Sequence, residues 1–437
     1  MLLVALGLVV LLGIGAGTAW FVSGGFGSGT GGLGDGEWRV PFTTEGTEVI
    51  GTDASIALGT WVSDKAAVRV QKDGLLAYDL GTGKRAWGIP SPGGEMCAAT
   101  HGLSGGRGAA AHGTGKVCDR LVGVDAGTGR IAWKTAIPPM PPAKNDKGIF
   151  PPTLLLSGDL VVVRTWEEVA AYRLSDGGRA WRRAISSPCA ARDALASAAQ
   201  VAVSLSCTEG GDAIVVLDAR TGAVAGRQRV AGIHEGPEHL LSADPVVAAW
   251  DGAGEASILV LEDRGRKARR FGTGEEVDLL RLNRAMYLEH GREELRAAVR
   301  GGTLYLAAAP VRGKSLAESR NDVLAFDLAT GRRLWKSSGI GQNRITFVEG
   351  DAGEKGLLVL EVGGYSGPAA RLTRIDTATG RATPVAELPD GVEKEGEDAH
   401  VHHRDGTLVV MPFQQPGVRY AVTTLRAGGR HGMSGGG

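Results

Sequence analysis

AHVHH, residues 399–403, holds the side chains of this sequence that come closest to a reactive pattern. On a strand, alternation would put His400 and His402 on one face, where two imidazoles could share a transition metal. GIHEGPEH adds His234 and His239, but in a distant part of the chain. No nucleophile or base is evident beside either group. AHVHH therefore reads as a polar strand near a loop, with His400 and His402 kept only as metal candidates and no cofactor expected. Hydrolytic chemistry has no foothold either. No nucleophile elbow of GxSxG type sits between a strand and a helix, and GYSGP at 364–368 reads as a glycine-rich loop. The four cysteines lack CxxC spacing, which argues against structural zinc. No catalytic residue is assigned.

The elements that must position these groups come from a repeat. AYDLGTGKRAW at 77–87 returns as GVDAGTGRIAW at 123–133 and AFDLATGRRLW at 325–335. Worn copies stand at 171–181, 216–226 and 374–384, with weaker ones at 258–268 and 420–429. The step from Asp79 to Asp125 is 46 residues, and the following slots (Arg173, Asp218, Glu262) fall 48, 45 and 44 further on. Glu262 to Asp327 is 65, with the extra piece 277–295, and Asp327 to Asp376 is 49. A step near 45 to 50 suits a four-stranded propeller blade. Each period holds short apolar runs bounded by turn residues, with the motif on the third strand and its turn into the fourth.

Within the motif, Asp79 and Thr82 can hold a tight turn by hydrogen bonding to nearby groups, and Gly83 supplies φ > 0. Asp125, Thr128 and Gly129 repeat the pattern, as do Asp327, Thr330 and Gly331; Asp218, Asp376 and Gly380 keep parts of it. Trp87, Trp133, Trp181 and Trp335 sit on the outer strand, placed to cover the neighbouring blade. Eight slots are present, and the last lacks a fourth strand. GEWRVPF at 36–42 resembles that strand, so Trp38 is expected to complete the last blade and close the ring. The expectation is an all-β, eight-bladed propeller, with seven blades as the alternative.

Cys97 lies 28 residues before Asp125, and Cys189 lies 29 before Asp218. The pairs Cys97–Cys118 and Cys189–Cys207 thus fall at matching places in blades two and four. In each, the first cysteine is expected to open the innermost strand and the second to end the next. Antiparallel pairing would bring them together as within-blade disulfides. Four buried thiols are the alternative. Disulfides imply an oxidising compartment.

Residues 1–22 carry no charge and are long enough to span a bilayer, so they read as a membrane anchor; a cleaved signal peptide, with Gly17 and Ala19 at the cleavage site, is the rival. Residues 23–36 read as a Gly/Ser linker, 37–428 as the propeller and 429–437 as a disordered tail. Basic and acidic residues balance at 48 each, which leaves no electrostatic footprint for nucleic acid.

The pattern A-x-D-x-x-T-G-x-x-x-W, complete at Ala77–Trp87 and Ala325–Trp335, resembles the tryptophan-docking motif of PQQ-type propellers. That family includes quinoprotein alcohol dehydrogenases and the outer-membrane assembly lipoprotein BamB. For its enzymes the resemblance implies PQQ and calcium in the central funnel, often under a vicinal cysteine pair. This sequence has no adjacent cysteines and no carboxylate and amide cluster suited to calcium. The loops suit contact better: the proline-rich 137–152 is a form peptide partners read, or a stiff spacer. RGRKARR at 264–270 reads as a solvated outer strand rather than a lipid or acid binder. The functional expectation is a non-catalytic, membrane-anchored, extracytoplasmic scaffold of the bacterial cell envelope with a protein or peptide partner. The alternatives are a PQQ-dependent oxidoreductase and the sensory ectodomain of a longer receptor-type kinase.

Overall fold

The computed structural model describes residues 36–42, 56–114, 117–139, 151–209, 211–230, 239–252, 255–274, 297–308, 321–337, 344–350, 356–362, 369–389, 391–392, 399–413 and 418–426. The expected anchor at 1–22, all but the last residue of the linker, the insert 277–295 and the tail 429–437 lie outside the described residues. So do His234 and GYSGP. Among the described residues no helix is long and apolar enough to cross a membrane.

Short apolar runs broken by turns form strands, and the strands pair into eight sheets. Blade 1 spans 59–90, blade 2 95–136, blade 3 153–184 and blade 4 189–229. Blade 5 spans 239–272, blade 6 297–336, blade 7 344–387 and blade 8 399–426. First strands of successive blades touch one another, so they are innermost around the axis. Eight is the observed count.

The apolar interior is divided among the seams. Eight clusters of buried side chains each join one blade to the next. Strand alternation makes this division: on Arg107–Gly113, Ala109 and Ala111 pack toward blade 3 while Ala110 packs toward blade 1. A strand buried on both faces must be apolar at consecutive positions, which is why these strands lack a polar face in the sequence.

The docking motif acts across the seams. Asp Oδ1 accepts hydrogen bonds from both the N–H and the hydroxyl of the threonine three residues on, at 2.6–3.0 Å. This occurs at Asp79–Thr82, Asp125–Thr128, Asp218–Thr221, Asp327–Thr330 and Asp376–Thr379. Gly83, Gly129, Gly331 and Gly380 follow with φ of +67° to +73°. A Cβ on Gly83 would meet the Trp38 ring at 2.6 Å, one on Gly129 the Trp87 ring at 2.5 Å and one on Gly380 the Trp335 ring at 2.6 Å. Glycine there answers both the backbone conformation and the stacked indole. Each indole N–H also donates to a neighbouring-blade carbonyl: Trp87 to Ala126, Trp133 to Leu174, Trp181 to Ala219 and Trp335 to Thr377, at 2.8–3.1 Å. The seams without an indole are built otherwise. Phe271 lies against Gly331, and Gly226 packs against the backbone of Arg264 and Gly265. In that fifth copy, where Glu262 takes the aspartate slot, the turn is a short 3₁₀ stretch at Asp263–Gly265.

The ring closes as the sequence predicts. Trp38–Pro41 is the outermost strand of blade 8, antiparallel to Tyr420–Arg426, with Trp38 opposite Thr424 and Val40 opposite Val422. The Arg426 backbone N–H donates to Glu37 Oε1 at 2.8 Å, so the two ends of the propeller chain meet. Arg69, buried on the second strand of blade 1, adds a latch: its guanidinium donates to the Pro412 carbonyl of blade 8 and lies 5.1 Å from the Phe42 ring centroid. Blade 8 also holds one strand more than expected. Glu349–Gly350 pairs in parallel with His402 and His403 at the inner edge. Two residues carry no periodicity, so no pattern announces this strand.

Candidate functional site

Strand direction gives the ring two unlike faces. First strands share one direction, and partners alternate outward. Connections before first strands and between second and third strands therefore share one face. The six longest connections, 42–58, 137–152, 230–238, 273–296, 308–322 and 388–398, all join strand ends at that face. The opposite face holds the Asp-Thr-Gly turns and the hairpins between first and second strands, several as short as Gly158–Asp159. Three of those turn aspartates, Asp125, Asp218 and Asp327, have carboxyls held below the usual range, chiefly by the threonine hydroxyl.

Both expected disulfides are present, and both lie toward the long-connection face. Cys189 opens its strand directly opposite Cys207, with Cα atoms 4.0 Å apart, as the repeat register predicts. Cys97–Cys118 differs from the expectation. Cys97 is the third residue of Glu95–Ala99, at a bulge between Met96 and Ala98, and Cys118 lies beyond the end of Arg107–Gly113. Their Cα atoms are 6.3 Å apart. Blade 4 carries the same bulge, between Ala191 and Asp193, but the hairpin 100–106 of blade 2 is longer than 197–199 of blade 4, so equal spacing to the motif does not give an equal cross-strand pair.

At the axis, the structure collects histidines that the sequence keeps apart. His400 and His402 lie on one face of Ala399–Arg404, as alternation requires, with ring centroids 5.9 Å apart. His400 contacts the His101 ring edge-on at 4.6 Å and Phe413 at 4.3 Å, and its Nδ1 is 2.5 Å from Thr60 Oγ1. His402 Nδ1 is 3.1 Å from Glu349 Oε2, on the added parallel strand. Burial, reinforced by His101, holds the His402 imidazole down to about 4. Among the described residues no three His, Cys, Asp or Glu side chains form a group that could hold a metal ion. His239 stands apart in blade 5, where burial lowers it to about 4.

This cluster does not fit a calcium–quinone group. Calcium takes oxygen ligands, whereas the donors here are mainly imidazoles already engaged with one another, with Thr60 and with Glu349. The sequence reading missed His101, Thr60 and Glu349 as neighbours, because each comes from a different blade. It also missed the buried charges elsewhere: Glu361 with Arg371 at 2.8 Å, and Glu168 with Arg182 at 2.5 Å. Glu361 also accepts from the Thr373 hydroxyl. A buried carboxylate needs such partners, and only Arg371 and Arg182, opposite or near it on the next strand, could have hinted at them.

A family model described as outer membrane protein assembly factor BamB matches residues 71–383. Among solved structures, the Dos1 propeller superposes with a TM-score of 0.50 at 12% identity, covering 91% of this chain and 98% of that one. BamB from Moraxella catarrhalis gives 0.47 at 14% identity, covering 84% and 96%. Quinohemoprotein alcohol dehydrogenase from Comamonas testosteroni gives 0.47 at 15%, covering 88% and 77%. At these identities the likeness concerns the fold alone. Among curated proteins none matches the chain.

Proposed function

The chain belongs to the outer membrane protein assembly factor BamB family, and from that premise we propose that it is a non-catalytic binding scaffold of the bacterial cell envelope. Its partner is a protein or peptide that docks on the long-connection face. One observation carries this reading: the strand ends joined by the six longest connections and both disulfides lie toward one face, while tight turns occupy the other. A rigid ring presenting loops on one side is suited to recognition. The two disulfides and the uncharged residues 1–22 support a single-pass anchor with the propeller on the extracytoplasmic side.

Photo-crosslinking in the native envelope tests the docking face. A crosslinker at Pro139 or Glu209 reports the long-connection face, and one at Lys65 or Asp159 the opposite face. The scaffold reading expects a discrete adduct from the first two positions and none from the others; equal labelling from both faces overturns it. A reporter fused at the C-terminus should behave as extracytoplasmic, and cytosolic activity would reject the topology. The oxidoreductase alternative predicts an absorbance change and dye reduction on adding PQQ with calcium. The scaffold predicts neither.

A further inference from the structure

The outermost strands of blades 3, 4 and 5 read RAWRRA, VAGRQR and KARRFG, with three, two and three cations and no carboxylate. Arg227 and Arg229 are exposed at the centre of this band, flanked by exposed Arg179 and Arg182 on one side and Lys267 and Arg270 on the other. The basic run at 264–270 is thus one third of a larger surface. Over all eight outermost strands Glu387 is the one carboxylate, although the whole chain balances 48 basic residues with 48 acidic. Carboxylates on the adjacent third strands reach Arg182, from Glu168 at 2.5 Å, and Arg269, from Glu262 at 3.1 Å. Setting aside Arg182, Arg269 and Arg270, which also has a partner, five cations (Arg179, Arg183, Arg227, Arg229 and Lys267) stand on the three strands.

An outermost strand has an open hydrogen-bonding edge, and charge there keeps edges from pairing. Carboxylates would serve that purpose as well as guanidiniums. Edge protection therefore accounts for the charge and leaves its single sign unexplained.

We propose that the perimeter of blades 3 to 5 is a docking surface for an anionic lipid bilayer. Complementary charge is the argument. The cations are spread over three adjacent strands and converge on no pocket, which suits a broad, laterally averaged negative surface. An acidic polypeptide adding to the edge would pair with one strand and use the cations of that strand alone. The half-exposed Val224, 48% accessible, lies on the central strand and gives the band an apolar point at the lipid boundary. The inference is independent of the partner reading, because the perimeter is separate from the long-connection face.

The test uses the full chain with vesicles of phosphatidylglycerol or of phosphatidylcholine. The apolar residues 1–22 are present in every arm, so the ratio of the two partition coefficients reports the charge-dependent part. For wild type the expected ratio is roughly tenfold or more at about 50 mM salt, collapsing toward one at about 500 mM. Arg227→Glu with Arg229→Glu should bring the ratio toward one at low salt, with a thermal melt confirming the fold. Should that variant not fold, Lys267→Ala with Arg270→Ala is measured instead, with a ratio at least threefold below wild type expected. A wild-type ratio near one, or a ratio unchanged in the folded variant, overturns the proposal. Retention on polyglutamate with a lipid ratio near one also overturns it, and assigns the band to an acidic polypeptide.

Discussion

The indole N–H of Trp38 donates to the carbonyl of Leu80 at 2.9 Å, so the first strand of the propeller is gripped by blade 1 as well as by the blade it completes. Trp38 is 8% exposed, and its ring lies over Gly83. Trp38→Ala removes the stacking and the hydrogen bond together. The expected loss is about 3–5 kcal/mol, as for large aromatic truncations in cores. A melt of Trp38→Ala indistinguishable from wild type would show that this strand is not the clasp.

Gly123 occupies the alanine place of the motif, and a Cβ there would fall 2.1 Å from the Trp133 indole. The equivalent residues opposite Trp87, Trp181 and Trp335 are Ala77, Ala171 and Ala325. Gly123→Ala, which makes the copy more like its neighbours, is therefore expected to destabilise by about 1–3 kcal/mol through displacement of Trp133. Denaturant midpoints decide it, and a midpoint at or above wild type would mean that Trp133 moves aside at no cost.

The two disulfides close loops with sequence separations of 21 and 18 residues. In the chain-entropy model each contributes about 3 kcal/mol. Cys97→Ala with Cys118→Ala, and Cys189→Ala with Cys207→Ala, should each lower the unfolding free energy by that order. Non-reducing peptide mapping should recover the same two links, and a Cys97–Cys189 link would contradict the register of both blades.

His239 has a pH consequence of definite sign. Burial lowers its folded-state value to about 4, against an ordinary value near 6.5. The unfolded chain thus binds the proton more readily. The contribution of the neutral ring is complete above about pH 6.5 and is lost as the pH falls through about 4. His402, lowered to about 4 by burial and by His101, follows the same sign. Denaturation midpoints at pH 7 and pH 4.5 should differ less in His239→Met than in wild type. An equal difference in both would place the acid lability elsewhere, since the lowered carboxyls of Asp125, Asp218 and Asp327 respond only below the ordinary carboxylate range.

The repeat was legible because its interactions are local or strictly periodic. Asp79, Thr82 and Gly83 form one turn, and Trp87 recurs at a constant offset, so blade number, the role of the turn and the Trp38 closure could be read from spacing. The axis was not legible. His101, Thr60 and His400 meet only because three successive blades converge there, and nothing local to any of them encodes that contact. Glu349–Gly350 pairs in parallel across a blade boundary, and the longer first hairpin of blade 2 breaks the equivalence of Cys97 and Cys189 that spacing alone implies. The buried pair Glu361–Arg371 is a cross-strand relationship, visible only once register is known.

The meeting of Glu37 with Arg426 has a topological consequence. Both described ends lie at the tight-turn face, away from the six longest connections. A short peptide joining Gly36 to Arg426 would make the ring covalently continuous. New ends could then be cut at an exposed hairpin such as Gly158–Asp159 without removing any strand from its sheet. Such a circular permutant would trade the non-covalent clasp in blade 8 for one in blade 3, and the order of the eight seams around the axis would be the same.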